Sequence, residues 1–230
     1  MSVYEFLFGD QDLDEVMLDV DFPQGGPLDT GRARMWEGNA QEAANVVAGA
    51  LEPWASFIVA LARKSQGQSP VRQLRSVAEN GFLEARARLW AWTALRQLGE
   101  QPAQVHASEV LGIVVEVPVD DGLDVFAAYS DGSVRYLNHA GRLVARETAQ
   151  GPDASVVKVL GDAFPLLSIS PAPRDKDAPP PEPGTIRFVA LSARGLHTLD
   201  VKSADVEPSG QWGALFAGLT KLLAEVVQIQ

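Results

Sequence analysis

The sequence predicts an α+β protein with a helical N-terminal half and an antiparallel sheet in its C-terminal half. Apolar residues recur at helical spacing up to about residue 98, whereas residues 110–148 alternate short apolar runs with turn tripeptides. A wide apolar stripe then follows Ser209. We therefore expect an N-terminal helical region packed on an antiparallel β-meander sheet of about six to seven strands, with an amphipathic C-terminal helix.

The turns of the meander are the clearest local signal. Gly122 and Gly132 each follow an aspartate, and Gly141 closes a third tripeptide. Glycine adopts positive φ without steric cost, and Asp-Gly is a preferred hairpin turn. These turns predict four consecutive antiparallel strands, with residues 114–117 and 125–129 at their centre.

The N-terminal half predicts a first strand in residues 1–10, an exposed loop in residues 22–31 and then helices. Residues 46–61 form one kinked helix or two short ones, because Glu52 and Pro53 interrupt the apolar pattern. Glu52 also argues against a membrane span through this stretch, since a central carboxylate is costly in a bilayer. A further helix begins near Ser69 and ends near Gly99, and Asn80 with Gly81 can divide it.

Five further elements are expected after the meander. Asp153 is suited to cap a short helix in residues 152–161, and residues 164–170 resume strand character. The proline-rich residues 171–184 predict an exposed loop. Two strands, 186–191 and 196–201, then form a hairpin before the C-terminal helix.

The composition shift near residue 100 predicts a division of the chain. Residues 1–100 would hold an acidic N-terminal arm plus the helical region, and residues 101–230 the sheet region with the C-terminal helix. One continuous domain is the alternative. Either arrangement is long enough to bury a core without metals or disulfides.

Composition also bounds the function. The 230 residues carry a formal net charge of -11 and no cysteine. The charge disfavours nucleic acids and anionic membrane surfaces as partners. Absence of cysteine excludes disulfides, zinc thiolates, iron–sulfur clusters and thiol nucleophiles, so the cytoplasm is the expected compartment. The N-terminus does not resemble a secretory signal, and no motif calls for a cofactor.

Two stretches of opposite charge are expected either to pack together or to bind a charged partner. Basic residues dominate residues 63–96, whereas residues 1–31 carry eight acidic residues and no basic one. The interaction candidates are Arg86, Arg88 and Trp90. Trp90 and Trp92 lie about 200° apart on a helix. Either Trp90 faces outward beside Arg86, as at many protein interfaces, or two layers bury both tryptophan rings.

The candidates for metal binding are weak. Asp10, Asp12 and Asp14 occupy alternate positions as in a calcium loop, but Glu15 stands where that loop needs glycine, and Asp21 replaces the closing glutamate. His139 and His197 lack the spacing of a metal motif. No serine lies in a nucleophile elbow.

We therefore expect a soluble, non-enzymatic protein-binding or adaptor protein whose partner is another protein. One alternative is a metal-dependent or other hydrolase that uses His139, His197 and nearby aspartates. Another is a small-molecule sensor with a pocket between sheet and helices. Stoichiometric metal, a stable protein partner, or ligand-dependent thermal shifts would separate the three classes.

Overall fold

A computed structural model describes residues 3–147, 151–175 and 179–228 of the chain. They divide into two compact units: Gly9–Gln101, and a second that joins Ser2–Phe8 to Pro102–Gln230. The described residues form helices and one antiparallel sheet, which confirms the α+β class. Whether residues 1–100 and 101–230 fold as separate domains stays a prediction. Within the described part of the chain, no helix has the length and apolar character needed to cross a bilayer.

The first unit is helical. Its helices are α1 (Leu13–Asp19), α2 (Pro27–Trp36), α3 (Ala40–Val46), α4 (Trp54–Ser65), α5 (Val71–Ala78) and α6 (Ala85–Gln97). Within the predicted acidic arm, α1 buries Leu13, Val16 and Met17 at helical spacing. The acidic side chains occupy the remaining face of a packed helix.

α2 shortens the expected loop of residues 22–31 to residues 22–26. Proline is tolerated in the first helical turn, since the amide it lacks has no partner there, and Pro27 begins the helix. Gly31 lies against Val47: a Cβ on Gly31 would come 2.3 Å from Val47 Cγ1. Gly31, which suggested a loop, thus allows α2 to pack closely against Val47.

The predicted interruptions are confirmed, but the predicted helical stretch 46–61 is not helical at residues 47–53. Pro53 immediately precedes α4, so residues 46–61 contain the end of one helix and part of another. Asn80 and Gly81 lie between α5 and α6. Gly99 has a φ of +81° just after α6, which is the left-handed conformation that ends many helices.

The second unit contains the sheet. Its strands are β1 (Val110–Val119), β2 (Gly122–Tyr129), β3 (Val134–Leu137), β4 (Leu143–Arg146), β5 (Thr185–Ser192) and β6 (Gly195–Lys202). Among the described residues they form one sheet in the order β4-β3-β2-β1-β5-β6. The first four strands are the predicted meander, with Val114 opposite Ala127, and β5 returns to the free side of β1.

The turn glycines take the conformations that the sequence predicts. Gly132 has a φ of +90° and Gly141 a φ of +79°. A Cβ on Gly132 would lie 2.6 Å from the carbonyl oxygen of Gly151. Both the backbone conformation and the lack of space therefore require glycine at position 132.

Three further helices accompany the sheet: α7 (Gln104–Ala107), α8 (Ala154–Ala163) and α9 (Gln211–Gln228). Asp153 caps α8 as predicted, accepting a hydrogen bond from the Val156 amide at 2.9 Å. Short 3₁₀ helices lie at Glu5–Leu7, Phe164–Ser168 and Ser203–Asp205.

The first two 3₁₀ helices correct the strand predictions for residues 1–10 and 164–170, of which residues 1 and 2 lie outside the described residues. Short apolar runs carry too little periodicity to distinguish a strand from a helical turn. Near Phe164, the helical path of α8 continues, and Pro165 is compatible with a first helical turn.

The two faces of the sheet differ. On the helix face, alternate residues pack against α8 and α9 in an apolar core; from the strands it includes Ile113, Val115, Phe126, Ile186 and Phe188, and from the helices Val156, Val159, Leu215, Leu219 and Leu222. The opposite face, here the cleft face, carries Glu116, Arg187 and Asp200 on β1, β5 and β6. Side chains alternate between faces along a strand, so one strand contributes to both.

The predicted proline-rich loop, residues 171–184, is mostly exposed where the structure describes it, although Pro181 is buried. Residues 176–178 of this prediction lie outside the described residues. The start of the loop contacts the edge strand β6: the Ala172 amide donates to the Leu196 carbonyl at 2.9 Å. One end of β6 is therefore paired on its outer side.

Candidate functional site

The tryptophan and arginine proposed for a surface lie mostly inside the first unit. Trp90 is 2% exposed, and its indole N–H donates to Gln11 Oε1 at 2.7 Å. Trp92 is buried too, so the alternative in which both rings are covered is the correct one. Arg88 is also buried, and its Nε donates to the Ala78 carbonyl at the end of α5. A buried guanidinium that binds a C-terminal helix carbonyl stabilises the fold.

Arg86 lies at the rim of that buried region. It forms an ion pair with Glu84 and places its guanidinium carbon 5.9 Å from the centre of the Trp90 ring. The expected Arg86 and Trp90 pair thus exists, but with the tryptophan covered. Burial of Arg88 and Trp90 corrects their assignment to an accessible interaction surface.

Two aspartates of the candidate calcium loop form side-chain contacts within the first unit. Asp12 accepts a hydrogen bond from Gln97 Nε2, and Asp14 pairs with Lys64 at 3.1 Å. The acidic and basic stretches of the sequence therefore meet at Asp14 and Lys64. Both of these side chains are exposed, so the pair contributes about 0 to 1 kcal/mol.

His139 lies in the turn between β3 and β4. Its backbone amide donates to Asp124 Oδ1 at 2.8 Å, and its Nδ1 lies 3.1 Å from the same oxygen. Tyr136 donates to the other oxygen of Asp124 at 2.7 Å. Burial alone would raise the pKa of Asp124, but these hydrogen bonds outweigh it and lower that pKa. The carboxylate holds the turn together.

His197 lies on β6 and is fully buried. Its Nδ1 donates to the Ile169 carbonyl at 2.6 Å, while Nε2 lies 2.9 Å from Ser192 Oγ. Burial lowers the pKa of His197, and nearby Arg194 lowers it further against the effect of the Ile169 carbonyl. Ser192 is also fully buried, so this serine and histidine contact is closed to a substrate.

The structure does not bring His139 and His197 together. β2, β1 and β5 lie between β3, which leads to His139, and β6, which carries His197. The strand order therefore keeps the two histidines out of one shared site. In the described ranges, no three histidine, aspartate or glutamate side chains are arranged to hold a metal ion.

The second unit has a cleft on the cleft face of the sheet, and its floor is a charged row. Glu116 on β1 lies directly opposite Arg187 on β5, which lies opposite Asp200 on β6. Arg187 donates to Glu116 at 3.3 Å and to both Asp200 oxygens at 2.8 and 3.1 Å. The hydrogen bonds to Asp200 are the main reason that the pKa of Arg187 is raised. Strand register thus aligns three charges.

Glu116 is the buried end of this row, with an exposed fraction of 1%. The Tyr4 hydroxyl donates to it. Burial, together with the hydrogen bond and the negative charge of Glu116, raises the pKa of Tyr4, so the phenol remains protonated and donates at neutral pH. The carboxylate consequently has partners on two sides.

Arg174 and two aromatic rings form the upper wall of the cleft. The Arg174 guanidinium carbon lies 4.4 Å from the centre of the Phe8 ring and 5.6 Å from that of Tyr4. These are cation–π distances. The cleft has a volume of about 240 Å³, and its lining also includes Pro173, Asp175, Val189, Leu196 and Thr198.

Sequence reasoning missed this cleft, although one signal was present. Glu116 is the single charged residue in the otherwise apolar segment of β1, and Arg187 interrupts β5 in the same way. A charge within a buried strand has to be paired. The sequence does not indicate that these two charges pair with each other, since they are 71 positions apart.

A different feature marks the surface of the first unit. Phe82, between α5 and α6, has an exposed fraction of 102%. Its amide donates to Asn80 Oδ1 at 3.0 Å, and the Leu83 amide donates to the Asn80 carbonyl at 3.2 Å. The turn therefore presents a fully exposed aromatic ring on a backbone that hydrogen bonds hold in place.

Comparison of this chain with protein-family models, with curated proteins and with solved structures found no match in any of the three.

Proposed function

We propose that the protein is a non-enzymatic adaptor that binds another protein through the turn that carries Phe82. The full exposure of that ring is the observation on which the proposal rests. Burying a phenylalanine is worth about 1.5 to 3 kcal/mol, a gain that the isolated chain forgoes. Aromatic residues are also enriched among the side chains that dominate binding energy at protein interfaces.

The local structure supports this role. The two hydrogen bonds to Asn80 fix the turn, and buried residues anchor the flanking helices α5 and α6. A turn whose backbone is already fixed loses less conformational entropy on binding than a mobile one. The proposal places the protein in the cytoplasm, because its cysteine-free sequence draws no stability from an oxidising compartment.

The experiment places a photo-crosslinking amino acid at position 82 in cells that make the full chain. Val105 in α7 is the matched control, because it is also a well exposed apolar side chain. We expect a crosslinked protein partner at position 82 and not at position 105. In the purified complex, Phe82→Ala should weaken affinity about 30-fold, the effect of a 2 kcal/mol contact.

Val105→Ala should leave the affinity within about twofold, since exposed residues outside an interface contribute little. Neither substitution should change the free energy of unfolding by more than about 0.5 kcal/mol. Unchanged affinity of the complex on Phe82→Ala would overturn the proposal.

A further inference from the structure

The cleft of the second unit combines two features that recognise a planar cation. It has an aromatic wall, Tyr4 and Phe8, and carboxylates at its floor. The structure also places a guanidinium in it: Arg174 lies over both rings. Arg174 belongs to the loop 171–184 rather than to the sheet, so the occupying group is supplied by a connecting segment.

The charge of the cleft depends on Arg174. Without Arg174, the described residues of the lining place the carboxylates of Glu116, Asp175 and Asp200 against one guanidinium, that of Arg187. Arg187 is already bound to Glu116 and Asp200. Removal of Arg174 would therefore leave an aromatic cleft with an excess of negative charge, and such a cleft attracts a cation.

We propose that this cleft is a binding site for the guanidinium group of a ligand, and that Arg174 occupies it when no ligand is bound. The inference goes beyond the adaptor role and does not depend on Phe82. It gives a specific ligand chemistry to the general possibility of a small-molecule pocket.

A guanidinium fits this site better than an ammonium. Guanidinium is planar, weakly hydrated and stacks on aromatic faces, while its donors bind carboxylates in pairs. With Arg174 in place, the cleft keeps a volume of about 240 Å³, which lies below the usual range of pockets for larger ligands, roughly 300 to 1,000 Å³. A single side-chain group is the appropriate size.

The test compares the full chain with its Arg174→Gln variant by NMR titration. The probes are N-acetyl-arginine amide, the peptide Gly-Gly-Arg-Gly-Gly, and the corresponding neutral citrulline amide. An internal occupant present about nine-tenths of the time weakens apparent affinity about tenfold. We therefore expect Arg174→Gln to bind the arginine probes about tenfold more tightly than the unaltered chain, with little binding of citrulline.

Two further variants locate the site. In the Arg174→Gln background, Asp200→Asn should weaken arginine binding about fivefold, the effect of roughly 1 kcal/mol. Asp120→Asn, at an exposed position outside the cleft, should leave it unchanged. Tighter binding of the peptide than of the amide would assign the site to a chain-borne arginine. Equal affinity would assign it to a small guanidinium compound.

The proposal is overturned if Arg174→Gln binds arginine no more tightly than the unaltered chain, or binds citrulline equally well. Thermal unfolding confirms that the variant is folded. Arg174→Met, which keeps aliphatic contact with Phe8, replaces it if glutamine destabilises the loop.

Discussion

The two faces of the same sheet differ in the side chains that they carry and in their roles. The helix face is an apolar core in which Phe188 stacks on Trp212 at 5.9 Å. The cleft face places the charged Glu116 and Arg187 next to residues of that core in the same strands. Because side chains alternate, one strand contributes both to stability and to a polar cleft. The difference shows that burial on this sheet does not imply apolar character.

The largest effect is expected on the helix face. Phe188→Ala removes a fully buried ring and leaves a cavity, and should lower the free energy of unfolding by about 3 to 5 kcal/mol. Urea denaturation measures this change. Val105→Ala, at an exposed position, is the control and should stay within about 0.5 kcal/mol. Equal midpoints for both variants would contradict the assignment of Phe188 to the core.

A smaller effect is expected at the buried end of the charged row. Glu116→Ala leaves Tyr4 without its acceptor and Arg187 with one carboxylate fewer, which should cost about 1 to 3 kcal/mol. Glu116→Gln retains an acceptor for Tyr4 and should cost less than Glu116→Ala. Chemical denaturation of both variants distinguishes the loss of hydrogen bonding from the loss of charge. If Glu116→Ala instead raises the free energy of unfolding, the charged row lowers the stability of the folded chain.

The exposed end of the row should matter least for stability. Asp200 has a side chain that is 45% exposed, so solvent screens its pair with Arg187. Asp200→Asn should change the free energy of unfolding by about 0 to 1 kcal/mol, and less in high salt. Thermal unfolding at low and high ionic strength measures it. If Asp200→Asn lowers the free energy of unfolding as much as Glu116→Ala does, the buried and exposed ends of the row do not differ in their contribution to stability.

His197 adds a pH dependence to the helix face. Its pKa is lower in the folded chain than its ordinary value of 6.5, so below pH 6.5 the unfolded chain binds more protons. Stability from neutral His197 is thus present above pH 6.5 and is lost as pH falls toward the folded pKa. His197→Gln should flatten this part of the stability profile, measured by urea denaturation from pH 5 to 7.5. An unaltered slope would show that other groups cause it.

The sequence predicted the turns of the meander because each depends on a few adjacent residues. The Asp-Gly pair in a hairpin turn predicts a positive φ at Gly132, and the structure confirms it. Pro27 shows the limit of local reasoning. Proline and glycine near it suggested a loop, but proline also begins helices, and the burial of Leu28 and Gly31 decides between them.

The cleft was beyond sequence reasoning because it depends on strand order. Glu116 and Arg187 become neighbours only when β5 pairs with the free side of β1, and Tyr4 comes from a third segment. Trp90 poses the same difficulty: helical spacing separates Trp90 from Trp92 but does not show whether one layer or two cover the helix. Non-local packing decides both cases.

The bridge between Ala172 and β6 also bears on aggregation. An open edge strand offers backbone donors and acceptors to strands of other molecules. Here the Ala172 amide points toward Leu196, and its neighbours Pro171 and Pro173 have no amide hydrogen to donate. The bridging segment thus covers one end of β6. Its two prolines offer no backbone N–H to a further strand. Growth of the sheet from that end into a fibril would first require the release of Ala172.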